Sequence, residues 1–146
     1  MRLDYDCLLD LMLCVEETCT VRKMVVLYDV ELLDRMEGHL YPLGKKPQLN
    51  DYQKALLAKY SNEMIIYHIN YCVADELFVL YSKQLDEIKI CDLTPKGHKF
   101  VGLLRSKTIG EKVKSFLKAN GTATIQSLVE FSFSELASLV KKTFGA

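Results

Sequence analysis

The sequence predicts a mainly helical α+β domain, and three observations carry that reading. Apolar residues recur at helical spacing in a series of segments between Leu3 and Lys142. Two strand-like runs, Leu77–Tyr81 and Ile88–Leu93, flank the polar stretch Ser82–Glu87, the pattern of a hairpin. A helix start signal, Leu93-Thr94-Pro95, follows the second run directly. With 146 residues, 49% apolar and 26% charged, the chain can bury the core of one domain and is not disordered throughout.

The elements follow in order. Leu3, Cys7, Leu8, Leu11, Met12 and Val15 share one helical face over about 3–17. Asp4, Asp6 and Asp10 lie off that face, and the early ones suit the positive end of the helix dipole. Met24–Tyr28 has the composition of a short strand, and Asp29 can cap a helical turn through Leu32, Leu33 and Met36. Gly38, Pro42, Gly44 and Pro47 mark 38–50 as a loop, long for a connection. Asp51–Lys59 is a short helix with Tyr52, Leu56 and Leu57 on its apolar side. Ser61 caps a third helix that reaches about Glu76, with Ile65, Ile69, Cys72 and Val73 inward. Asn62, Glu63, Ile66, Tyr67 and Asn70 look outward. After the hairpin, Thr94 offers the capping hydroxyl and Pro95 sits where a missing N–H costs nothing. The helix it opens carries Phe100, Val101 and Leu104; further helices span Ile109–Leu117 and Thr124 to about Lys142. Residues 1–118 read as the body of the domain, and 119–146 as a C-terminal helix that packs on it or on a partner.

Exclusions narrow the function. No stretch approaches the ~20 apolar residues of a membrane span, and the acidic N-terminus lacks the features of a signal peptide, so a cytoplasmic protein is expected. Nineteen basic residues balance nineteen acidic ones. Cys7, Cys14, Cys19, Cys72 and Cys91 form no C-x-x-C pair and stand beside no His at zinc-ligand spacing, so reduced, metal-free thiols are expected, with Cys7, Cys14 and Cys72 poorly accessible. No glycine pattern suits a phosphate-cradling loop. His68 and His98 read as packed structural histidines, because no nucleophile or carboxylate motif converges on either, and His39 carries no signal. No catalytic residue, metal or cofactor is assigned.

Three helices, a two-stranded hairpin and then more helix is the order of a winged helix-turn-helix domain with additional C-terminal helices. Several residues add a family resemblance: Arg2-Leu3-Asp4 at the start, Tyr67-His68 within the third helix, and Leu93-Thr94-Pro95-Lys96-Gly97-His98-Lys99-Phe100 shortly before Arg105. Lys112-Val113-Lys114 extends them. On these residues the chain resembles the domain of unknown function 2513 family, uncharacterised winged-helix-like proteins of bacteria and their phages. The resemblance covers roughly 3–17 and 61–118 and implies the fold rather than an activity. Two departures stand out: Glu76 occupies a place where the family usually has Gly, and Gly110 one where it usually has Trp.

Charge supplies the functional expectation. Residues 1–88 hold nine basic and fifteen acidic side chains, whereas 89–118 hold eight basic and two acidic. A basic strip starting at the wing could neutralise phosphates, so double-stranded DNA is the expected partner. The residues expected to carry it are Lys83, Lys89, Lys96, Lys99 and Arg105, with Asn62, Tyr67 and Asn70 on the third helix. That helix presents no Arg or Lys outward, so binding would be weak and electrostatic. The alternative is a protein-interaction module on the same frame, without nucleic acid. The last helix, with Phe131 and Phe133 added to its apolar positions, has more apolar surface than one packed face needs, which allows a homodimer through it.

Overall fold

In the computed structural model residues 1–36 and 46–145 are described. Seven helices and three strands follow among them: α1 (Tyr5–Thr18), β1 (Val25–Tyr28), α2 (Val30–Met36), α3 (Asp51–Lys59), α4 (Asn62–Ala74), β2 (Phe78–Lys83), β3 (Glu87–Leu93), α5 (Pro95–Arg105), α6 (Lys107–Ala119) and α7 (Ile125–Phe144). The architecture is α+β and mainly helical. Gly38, His39, Pro42 and Gly44 of the expected loop lie outside the described residues, and 46–50 have no regular structure.

The sheet is larger than the expected two-stranded hairpin. β1 joins it, giving a three-stranded antiparallel sheet in the order β1-β3-β2. Val25 pairs with Ile90 and Leu27 with Ile88, so the inward residues of both strands enter the core together. β2 pairs with β3 from Phe78–Leu93 to Lys83–Ile88, with two irregularities in register around Leu80, and the turn between them is 84–86.

Local chemistry places the helix starts where the sequence puts them. Asp4, Ser61 and Thr94 each accept a hydrogen bond from a backbone N–H three residues on, at 2.8, 3.1 and 3.0 Å. Asp29 does the same for Leu32 at 3.2 Å. Around these caps, α1, α4, α5, α6 and the inner sheet face close one core, with Leu8, Met12, Ile69, Ile90 and Phe100 among its fully buried side chains.

The end of α4 departs from the expected boundary near Glu76. The helix stops at Ala74, and Glu76 takes a left-handed conformation, φ 58°. Leu77 N–H donates to Cys72 O at 2.9 Å and Glu76 N–H to Val73 O at 3.1 Å, the two bonds of a Schellman stop. Glycine enters this conformation without a Cβ clash, so Glu76 holds a strained position. Gly97 answers a different need. A Cβ there would fall 2.3 Å from the backbone oxygen of Leu77, whereas one on Gly102 of the same helix would meet nothing within 4 Å.

Glu76→Gly should therefore raise stability by about 1 kcal/mol, read from the urea midpoint at unchanged slope. Gly97→Ala should lower it by more than about 2 kcal/mol, because a backbone oxygen cannot rotate away. Gly102→Ala, the matched control, should raise it by up to about 1 kcal/mol through helix propensity. Equal effects of the two alanines would contradict the packing of α5 on Leu77.

Candidate functional site

The residues from Thr94 to Lys99 form a clasp on the end of α4. The Thr94 hydroxyl donates to Glu76 O at 2.7 Å, and Thr94 N–H donates to Leu77 O at 2.9 Å. The Lys96 ammonium donates to Asp75 O at 3.0 Å and pairs with the Asp75 carboxylate at 3.1 Å. A cation at this point satisfies helix-terminal carbonyls and opposes the negative end of the α4 dipole. Lys96 is thus committed to the fold.

Several other cations of the strip are engaged as well, although Lys107 and Lys118 are exposed and make no ion pair among the described residues. Lys89 lies 3.7 Å from Glu87, and Arg105 donates to Glu16 at 2.6 Å. Lys112 meets Glu135 at 2.8 Å, and Lys114 meets Glu111 at 3.5 Å. The Lys99 ammonium sits 4.1 Å above the centre of the Phe133 ring. His98 lies between two carboxylates, Glu16 at 3.6 Å and Asp92 at 3.2 Å. Lys83, exposed at the end of β2, makes no ion pair among the described residues. Four cations of 89–118 are therefore matched by acids from outside the block: Glu87, Asp75, Glu16 and Glu135.

The candidates on α4 separate. Asn62 is turned to internal use: its Oδ1 accepts from Val30 N–H and its amide donates to Asp29 Oδ1, both at 3.0 Å, tying the starts of α2 and α4 together. The Tyr67 hydroxyl donates to Met1 O at 3.1 Å, and its ring packs 4.7 Å from that of Tyr71. Asn70 is exposed. Ile66, expected outward, is half-buried and lines a cleft of about 320 Å³ between α4, the β1–α2 turn and the hairpin tip. Its floor is apolar, with Leu27, Ile69 and Ile88, and its rim holds Asp29, Asp86 and Glu87 beside Lys83 and Asn70. Asn70 and Lys83 are the two candidates brought together there.

His68 is buried and fully bonded. Nδ1–H donates to Met64 O at 2.7 Å, and Nε2 accepts from Asp4 N–H at 2.9 Å. The ring links the start of α1 to the middle of α4, so Arg2-Leu3-Asp4 and Tyr67-His68 meet in space. Burial holds its pKa below the usual imidazole value. Cys7 and Cys72 are buried as expected, but Cys14 is half-buried. Burial pushes the Cys7 thiol up to about 12 and that of Cys14 to about 11, which disfavours the reactive thiolate. Desolvation also raises Tyr60, whose hydroxyl donates to Asp10 at 2.7 Å.

Sequence reasoning missed Tyr52 and Gln53 as a pair. Tyr52 accepts from Val26 N–H at 2.7 Å and donates to Val26 O at 3.2 Å. The Gln53 amide accepts from Tyr28 N–H at 3.1 Å and donates to Tyr28 O at 2.7 Å. Together they seal the outer edge of β1. A glutamine in a short helix carries no periodic signal for this role.

Protonation of His68 would leave Nε2 a donor facing the Asp4 N–H. The folded pKa is depressed, so between it and the ordinary value of 6.5 the unfolded chain binds the extra proton. Stability should therefore fall as the pH drops below about 6.5 and be unaffected by this group above it. Urea titrations at about pH 7.5 and 5.5 should show a smaller loss in His68→Gln, itself weaker by about 2 kcal/mol at the higher pH. An unchanged pH dependence in that variant would remove His68 from the account.

The model of the family described as "Hypothetical protein (DUF2513)" matches residues 2–123. That span includes the α1–α4 contact and the clasp, and it stops before α7. Neither the curated proteins nor the solved structures yield a match. No helix among the described residues is long and apolar enough to cross a membrane. The chain belongs to the domain of unknown function 2513 family.

Proposed function

We propose that this chain is a non-enzymatic winged-helix protein whose α4 and hairpin hold a protein partner. Support for the frame comes from element order and sheet order together: α3 and α4 as the helix-turn-helix pair, β2–β3 as the wing and β1 as the third strand. The observation that carries the choice of partner is charge. Glu63 on the outer side of α4, with Asp29 at the cleft, opposes the phosphates that such a frame would bring there. Exposed apolar groups lie near the same elements, with Tyr71 on α4, Val79 and Tyr81 on β2, and Leu85 at the tip 75% exposed. The cations expected to meet DNA mostly spend their charge on neighbouring carboxylates.

A second reading, duplex DNA held by the wing, is favoured by one residue: Lys83 stands exposed beside Asn70 at the cleft. Fluorescence anisotropy with a labelled duplex at about 50 mM salt separates the two. The protein-partner reading expects no saturable binding, and no change with Lys83→Glu. Binding that falls steeply by about 200 mM salt and is lost in Lys83→Glu would move the assignment to DNA. In parallel, affinity capture compared between wild type and the Glu63→Lys/Leu85→Asp double variant should retain a specific protein on the wild type alone. Equal capture by both would place the partner elsewhere.

A further inference from the structure

The twenty-residue helix α7 divides in two. Its first two turns bury Ile125, Leu128, Val129 and Ser132, packing on α5 and α6. Beyond Ser132 no described residue of the helix is fully buried. The apolar stripe nevertheless continues through Phe133, Leu136, Ala137, Val140 and Phe144, which line a shallow groove beside Lys99. Val140 is 47% and Phe144 80% exposed. Phe133, Leu136 and Leu139 still pack in part against the core, whereas Ala137, Val140 and Phe144 are exposed apolar surface.

The charges along α7 select an occupant. Its acids, Glu130 and Glu135, lie in the first half or near the middle, and its bases, Lys141 and Lys142, lie in the last turn. Glu135 is held by Lys112, which leaves Glu130 as the acid open to a partner; among the described residues it makes no ion pair and accepts from the Gln126 amide at 3.4 Å. Glu130 and Lys141 are about three turns apart and so fall on the same flank of the stripe. Lys141 makes no ion pair among the described residues.

We propose that this face pairs with the same face of a second copy, with the two α7 helices antiparallel. In a two-fold antiparallel pair each flank meets the identical flank of the other helix. A crossing near Leu136–Ala137 puts Glu130 roughly 9 Å along one axis and Lys141 roughly 7 Å along the other, so the two meet, twice per dimer. The small Ala137 side chain lets the helices approach at the crossing. Val140 and Phe144 then cover the middle turns of the opposite helix. A parallel pair would set this flank against the opposite flank of the second helix, so Glu130 and Lys141 would not meet, and would align the helix dipoles unfavourably. The proposal uses no residue of α4 or the hairpin and stands or falls separately from the reading of that face.

Sedimentation velocity tests it, over a series from about 5 to 500 µM protein in low salt, because a single helix pair is a small interface and assembles weakly. The average mass should rise from 16.7 kDa towards twice that value. Val140→Asp should weaken association at least about tenfold, with an unchanged circular dichroism melt because the site is exposed. Glu130→Lys and Lys141→Glu should each weaken it similarly, since each sets like charges together, and an equimolar mixture of the two should recover association through a heterodimer. A monomer at every concentration would overturn the proposal. So would a dimer indifferent to Val140→Asp, or a mixture no tighter than either charge variant alone.

Discussion

The stop of α4 and the clasp that holds it are the constraint on which the rest of this structure depends. Between Ala74 and Leu77 the chain must leave a helix and enter a strand within a few residues, and the left-handed Glu76 makes that turn possible. The exposed carbonyls at the turn are then taken by groups from the next helix: the Thr94 hydroxyl and N–H, and the Lys96 ammonium. Gly97 brings α5 against the same backbone at a distance no side chain would allow. One short segment therefore caps α5, closes α4 and fixes how the hairpin leaves the helical body. Leu77 is buried, and its carbonyl without the Thr94 N–H would cost free energy comparable to a lost hydrogen bond, which ties these elements together.

The rest of the scaffold follows the same economy of polar groups. His68 occupies both ring nitrogens with backbone atoms from two helices, so a buried imidazole becomes a spacer of defined length between α1 and α4. Tyr52 and Gln53 hand their side chains to the free edge of β1. Gly110, the second departure from the family pattern, lies in α6 against Leu104 O and the Tyr5 hydroxyl, where a Cβ would come within 2.6 and 2.7 Å. The Tyr5 hydroxyl itself donates to Leu104 O, so at this junction a tyrosine from α1 meets the end of α5.

Charge tells the opposite story in one dimension and in three. Along the chain, residues 89–118 form a basic block after an acidic one. Folding lays the block across α1, the α4 terminus and α7, and Glu16, Asp75 and Glu135 come to meet Arg105, Lys96 and Lys112. Pairs this exposed add little to stability, yet they remove much of the net field that phosphate would sense. Around the α4 cleft the lining includes Asp29, Asp86 and Glu87, and this shifts the proposed partner from DNA towards protein.

Local rules were enough to read most of the secondary structure. The caps at Asp4, Ser61 and Thr94, the helical stripes of α1, α4 and α7, and the two hairpin strands all depend on residues a few positions apart, and each lies within a residue or two of its expected place. The motifs Tyr67-His68 and Thr94 to Gly97 were visible as well, although their use was not. Long-range pairing decided what remained. β1 becomes a third strand only because β3 offers it a ladder, Asn62 turns inward only because Asp29 and Val30 arrive beside it, and the basic strip is matched only once distant carboxylates close on it. Helix α7 shows the division most plainly: periodicity marked all of its apolar residues alike, and only the packing of α5 and α6 determined which of them are buried and which stay exposed. Sequence spacing encodes what a residue can do within its own turn of chain, whereas burial and ion pairing depend on which other surface reaches it first.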